Sequence, residues 1–220
     1  MIDVRKLSLL LDTVALHDQV DLMLVTKYLD HDSLLALDQL CPNHVVFGES
    51  RLPQLSQRMY ALPNRLFYCI GPLQSRHIKA HHNLIEQSQL TMASVWKERH
   101  LQCLSKMSVG PLLLQVNGPN LSHQGGIVCG EVASVMQVWR DTFNVSGVMS
   151  MGVQDDIEAS LAVYESILVQ SQQEQWFPKG GVFSLGMSLD WLETIEHCMP
   201  LMLPNDRLLL RVGKYYLKGL

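Results

Sequence analysis

The 220-residue chain has no long basic run, and its 17 lysines and arginines are outnumbered by 21 aspartates and glutamates, for a formal net charge of −4. The electrostatic footprint of a nucleic-acid-binding surface is therefore missing. No stretch reaches the roughly 18 consecutive apolar residues that cross a bilayer. Residues 1–11 place Arg5 and Lys6 before Leu9-Leu10-Leu11, in the manner of an export signal, but Asp12 ends the apolar run too early. A soluble cytoplasmic protein with no membrane partner is expected. The five cysteines, Cys41, Cys69, Cys103, Cys129 and Cys198, are odd in number, widely spaced and free of any C-x-x-C pair. That usage argues against a disulfide framework and predicts reduced core thiols. A zinc motif is also lacking: His77, His81, His82 and Glu86 have helical spacing but no accompanying ligand pattern, so they read as a polar helix surface. With no linker composition, low-complexity tract or internal repeat, residues 1–220 are expected to form one domain, and a monomer.

What is present is a regular alternation. Hydrophobic residues make up 47% of the chain and charged ones 17%, enough apolar surface for a packed core. Short β-rich runs recur at 22–26, 45–47, 66–70, 90–93, 112–116, 145–151, 182–185 and 208–212. Between several of them, apolar residues repeat at helical spacing, as in 33–40, 130–139 and 157–169. Asp155-Asp156 and Asp190 read as helix-start residues rather than paired catalytic carboxylates, and 170–181 as a polar loop. Strand–helix alternation implies parallel strands with crossover helices, and eight units can close into a (β/α)8 barrel of the TIM type.

In such a barrel the working face lies at the C-terminal ends of the strands. Lys27 ends the first apolar run, Ser184-Leu185-Gly186-Met187-Ser188 follows the seventh, and Arg211-Val212-Gly213 ends the eighth. A strand-end lysine can form an imine with an aldehyde, while small residues at later strand ends can bring backbone N–H groups against a phosphate. One small molecule carries both groups, pyridoxal 5′-phosphate (PLP). Each feature alone has a plainer explanation: Lys27 as a solvated lysine, Ser188 as the cap of the following helix, Gly213 as ordinary loop chemistry. Met149, Met151 and Met187 read as packing at the barrel mouth.

The motifs Val25-Thr26-Lys27, Phe47-Gly48-Glu49-Ser50, Ile70-Gly71-Pro72-Leu73-Gln74-Ser75, Gln115-Val116-Asn117, Gly147-Val148-Met149, Ser184-Leu185-Gly186-Met187-Ser188 and Arg211-Val212-Gly213 run in order along the whole chain. Through them the sequence resembles the pyridoxal-phosphate homeostasis protein family, whose fold is like the barrel domain of alanine racemase. The resemblance implies that Lys27 holds PLP as an internal aldimine, that Ser188, Arg211 and Gly213 belong to its phosphate end, and that Asn117 and Met149 line the walls. It also implies a role in intracellular vitamin B6 cofactor homeostasis, with PLP-dependent client enzymes as partners. The chain departs from the family pattern at Ser50, at Arg76-His77, at Gln124-Gly125-Gly126 and at Lys214. A hydroxyl commonly stands where Lys214 does, so one phosphate donor is lost, although an inward lysine can replace its attraction.

Three functions compete on these grounds. The leading one is a PLP-binding protein without efficient turnover. An amino-acid racemase or related lyase is the second, since an imine at Lys27 can exchange with a substrate amine. Racemisation needs a second acid or base on the opposite face, which the alanine-racemase class draws from another domain, and the sequence ends at Leu220 just after its eighth run. The third is a paralogue that kept the barrel, lost the cofactor and acts through protein contacts.

Overall fold

The structure is a computed structural model that describes residues 2–71, 90–105, 111–122, 124–186, 190–213 and 216. Among these lie nine strands: β1 Val20–Val25, β2 Val46–Glu49, β3 Phe67–Cys69, β4 Leu90–Val95, β5 Leu112–Asn117, β6 Ile127–Val128, β7 Val145–Ser150, β8 Val182–Ser184 and β9 Arg207–Gly213. Neighbours pair in parallel in the order β1-β2-β3-β4-β5-β7-β8-β9, and β9 returns to β1 over six residue pairs, from Val20↔Leu208 to Val25↔Gly213. The ring is closed. The two-residue β6 pairs with β5 outside it. Each of the eight predicted runs carries one ring strand, so the fold is the expected (β/α)8 barrel, with its mouths defined by strand direction.

The helices among the described residues are α1 Val4–Val14, α2 His31–Leu40, α3 Leu52–Ala61, α4 Glu98–Leu104, α5 Val132–Phe143, α6 Ile157–Gln173 and α7 Trp191–Cys198. The amino-terminal run that superficially suggests an export signal is α1. Asp3 caps it by accepting from the Arg5 and Lys6 N–H groups, and Leu7, Leu10 and Val14 are buried along one face. Asp156 caps α6 by accepting from the Ala159 N–H at 2.9 Å, as its reading predicts. Asp155 before it takes a left-handed φ of 57° in the turn. Asp190 occupies the N-cap position of α7, and Ser188, also read as its cap, lies outside the described residues. α6 runs on to Gln173, four residues into the expected loop, because Ile167, Leu168 and Ser171 stay on the buried face.

Side-chain alternation divides the core in two. In β1, Leu22 and Leu24 face outward into the large cluster shared with the helices, while Met23 between them joins Val46, Leu113, Met149 and Leu209 inside the barrel. Phe47 and Phe67, both fully buried in the outer layer, meet edge to face at 5.9 Å between centroids. Each such ring contributes about 1.5–3 kcal/mol by leaving water. The N-terminal mouth holds a paired charge: Arg207 at the start of β9 donates to Asp21 of β1 at 2.9 and 2.5 Å. Near that end Arg65 closes the turn before β2, donating to Asp38 Oδ1 at 2.6 Å and to the carbonyls of Asp38, Pro42, Val45 and Cys41.

All five cysteines are free. Burial pushes the Cys41 and Cys198 thiols up to about 12 and the Cys69 thiol to about 11, so all three are held as neutral core groups. No helix among the described residues is long and apolar enough to cross a membrane. The His77, His81, His82 and Glu86 group lies outside the described residues.

Candidate functional site at the C-terminal rim

Adjacent strands set the geometry. Val25 pairs in register with Gly213 on one side and with Gly48 on the other, so Lys27, two residues beyond Val25, leaves β1 at the rim on which β9 ends at Gly213. Lys27 is half-buried, and its Nζ lies 4.9 Å from the centroid of the Tyr28 ring. That is cation–π distance.

Below Gly213 on the inward face of β9 is Arg211, only 7% exposed. Its NH1 donates to Ser184 O at 2.7 Å and to Ser184 Oγ at 3.1 Å, and its NH2 to Ser150 O at 2.5 Å. The guanidinium thus ties the C-terminal ends of β7 and β8 to β9. Its donors end on neutral oxygens, so the bonds fix the group without cancelling its charge, and burial presses its pKa downward from the usual arginine range. Gly186, just past β8, has a φ of +88°, a left-handed backbone that only glycine takes without strain. It turns the chain toward α7, whose N-terminus opens on the same rim.

Asn117 ends β5, and its amide is committed to the following loop: Nδ2 donates to Leu121 O at 2.9 Å and Gln124 O at 3.1 Å, and Oδ1 accepts from the Leu121 N–H at 3.0 Å. Gln115 adds a bond to Gly125 O at 2.7 Å. Leu121, Gln124 and Gly125 are thereby tied back over the β5 end. Met149 is 3% exposed and packs within the barrel among Met23, Val46, Leu113 and Leu209. Met151 is exposed. Gly71 shows why its motif holds a glycine: a Cβ there would stand 1.8 Å from the Ser50 carbonyl oxygen. Pro72, Leu73, Gln74, Ser75, Arg76, Met187, Ser188 and Lys214 lie outside the described residues.

Behind Lys27 stands a group that sequence reasoning gave no role. Glu49 lies on β2, which continues two residues past the predicted run, and its side chain is fully buried on the outer face toward α3. Its Oε1 accepts from Thr26 Oγ1 at 2.5 Å and meets Arg58 NH1 at 2.6 Å, while Oε2 has no hydrogen-bond partner. Arg58 NH1 also donates to Thr26 O at 2.8 Å, and NH2 to Leu29 O at 2.7 Å. Burial raises the Glu49 carboxyl above its ordinary range, against the lowering influence of Thr26, Arg58 and Lys27. A sequence signal existed: Arg58 sits on the apolar stripe Leu55, Met59, Leu62, a basic residue on a face that must be buried.

A closed parallel barrel with a cationic C-terminal rim is the class these observations define. No protein-family model matches the sequence, and comparison with curated proteins finds no match. Solved structures share the fold. PipY of Synechococcus elongatus, determined with PLP bound, is similar with a TM-score of 0.73 at 17% identity, over 98% of this chain and 99% of that one. A protein described as unknown from Bifidobacterium adolescentis gives 0.74 at 16% identity, over 96% and 92%. Alanine racemase of Corynebacterium glutamicum gives 0.66 at 13% identity, over all of this chain and 61% of the racemase. The fold is thus that of PipY and of the alanine racemase barrel.

Proposed function

We propose that the chain binds pyridoxal 5′-phosphate at the C-terminal rim, with Lys27 as the covalent anchor, and serves intracellular vitamin B6 cofactor homeostasis rather than efficient turnover. The observation that carries this reading is the β1–β9 register, in which Val25 pairs with Gly213 and Met23 with Arg211, so that the Lys27 amine two residues past Val25 and a buried fixed cation come to adjacent strand ends. The residues fit the group: an aldehyde needs the amine, and a phosphate dianion needs positive charge and close backbone. Arg211, with its fork already occupied by Ser184 and Ser150, supplies field rather than a free donor pair. Gly186 and Gly213 leave room for backbone approach, Ser188 adds a hydroxyl by the resemblance of its motif, and Asn117 and Met149 shape the opposite side.

When bound, PLP would supply an aldehyde, and Lys27 would offer the amine that holds it. The PipY structure with PLP bound, alike over nearly the full length of both chains, supports the binding reading. The motif resemblance supports the homeostasis role and PLP-dependent clients, and the cysteine usage and lack of linker composition support a single monomeric domain in a cytoplasmic setting.

The test is spectroscopic. Mixing the protein with PLP should give an imine absorption band, borohydride reduction should fix a pyridoxyl group on Lys27 by peptide mass spectrometry, and Lys27→Ala should abolish it. Labelling at another lysine, or none, refutes the anchor. Lys27-dependent inversion of an amino acid at ordinary enzyme rates would establish the racemase alternative instead.

A further inference from the structure

We infer that Arg58, held by Glu49 and Thr26, is a positioning residue for Lys27: it clamps the carbonyls on either side of the lysine's turn and so presents the amine to an aldehyde at the rim. The inference rests on the proposed role of Lys27 and extends it to residues outside the pocket.

Lys27 lies between the end of β1 and α2, in a five-residue connection that would otherwise be free to move. Within it the Leu29 N–H donates to Thr26 O at 2.8 Å, closing a tight turn with Lys27 and Tyr28 at its corners. Arg58 reaches that turn from α3 and grips both ends, Thr26 O through NH1 and Leu29 O through NH2. The two terminal nitrogens of one planar fork each take one carbonyl. Glu49 and the Thr26 hydroxyl fix the fork in turn, and all three side chains are buried, which keeps water from competing. Asp30, at the start of α2, adds attraction on Arg58.

A buried ion pair is not by itself a stabilising choice over apolar packing. Here it does what a leucine cannot, since an apolar side chain would leave Thr26 O without this donor and the Lys27 turn without a clamp. Immobilising Lys27 and Tyr28 beforehand removes an ordering cost from imine formation but leaves noncovalent binding of the phosphate end untouched.

That separation is the test. Pyridoxine 5′-phosphate has the ring and phosphate without the aldehyde, so its affinity reads the pocket alone, whereas the imine band with PLP reads the pocket and the amine together. Arg58→Lys keeps the charge beside Glu49 but replaces the rigid two-nitrogen fork with a single nitrogen, and should weaken imine formation by about tenfold or more while pyridoxine 5′-phosphate binds as in the wild type. Thr26→Val should act in the same direction and Thr26→Ser should recover to within about twofold, because the hydroxyl rather than the methyl is at stake. If Arg58→Lys does not fold, the Thr26 pair carries the comparison. Equal loss of both affinities would show a merely structural role, and an unchanged imine affinity would remove the clamp; either overturns the inference. Acylation of the free protein with acetic anhydride gives a reading independent of PLP: Lys27, no longer presented at the rim, should become less reactive relative to the other lysines in Arg58→Lys. Should the wild type show no Lys27 adduct at all, the proposed function fails, and the acylation ratio still decides the clamp, an unchanged ratio overturning it.

Discussion

Replacing Arg211 with methionine tests whether the strand ends at the rim are held by one buried cation. The side chain is 7% exposed and donates to Ser184 O, Ser184 Oγ and Ser150 O at 2.5 to 3.1 Å, joining three neighbouring strands. Truncation strands two buried carbonyls, each worth about 1–3 kcal/mol when orphaned. Against this, methionine no longer carries a charge out of water, which returns part of the loss. The balance is a destabilisation of about 2–4 kcal/mol. For a chain of this length each kcal/mol moves the midpoint by about 2–4 °C, so thermal unfolding followed by circular dichroism should drop by about 4–16 °C. Arg211→Lys should fall between the two, keeping the charge but losing the fork. The variant should also bind pyridoxine 5′-phosphate more weakly, because the fixed cation is gone. Wild-type midpoints in both heat and urea for Arg211→Met would refute the reasoning, since no bridging role could then be assigned to the guanidinium.

Ser188→Ala should weaken PLP binding by about 1–2 kcal/mol if its hydroxyl donates to the phosphate, measured as a dissociation constant at controlled inorganic phosphate; an unchanged constant removes it from the site. Glu49→Gln should change the pH dependence of stability. Burial raises the folded-state carboxyl above its unfolded value, so between those two values the native chain holds a proton that the unfolded chain has released, and stability falls as pH rises. Urea titrations across that window should show a shallower fall in Glu49→Gln, and an unaltered slope would contradict the assignment. Gly71→Ala should cost about 1–3 kcal/mol in urea unfolding, because the added methyl would meet the Ser50 carbonyl at 1.8 Å. Asp156→Ala should cost about 1 kcal/mol through loss of the α6 cap, and no loss of helix stability would show that the Asp156–Ala159 bond is incidental.

The ring was legible because parallel strands buried on both faces are written as continuous apolar runs, and all eight stand out at regular intervals. Their ends were harder to place. Residues 46–49 read as a strand only to Phe47, since glycine and glutamate end an apolar run; yet Gly48 fits because Met23 leaves no room there for a side chain, and Glu49 because Arg58 waits behind it. Neither reason is local in sequence. The two-residue β6 carries no periodicity to detect, and α1 was masked by its superficial likeness to an export signal until Asp3 is seen capping it. Lys27 and Gly213 were legible through strand ends and motif. That Asn117 spends its amide on residues 121 and 124, and Arg211 its fork on Ser184 and Ser150, was not, because a motif names residue types and not the partners they meet.

The two mouths of the barrel differ in a way that bears directly on the proposed site. At the N-terminal mouth Arg207 meets the Asp21 carboxylate, and the pair leaves little field beyond itself. At the C-terminal rim Arg211 is spent on carbonyl and hydroxyl oxygens and Lys27 rests on an aromatic face, so two positive charges stand at adjacent strand ends with their hydrogen-bonding or cation–π needs met by neutral groups. Neutral partners orient a cation without cancelling it, and in a site with low-dielectric walls the remaining field favours an anion. Among the described carboxylates near these cations, Glu49 is turned to the outer face and engaged by Arg58, while Asp190 at the start of α7 attracts Arg211. Barrel polarity alone would place a site at this rim in any such enzyme or binding protein. The distribution of charge goes further, since it fits a ligand that is both anionic and able to react with an amine, and a phosphorylated aldehyde meets both conditions.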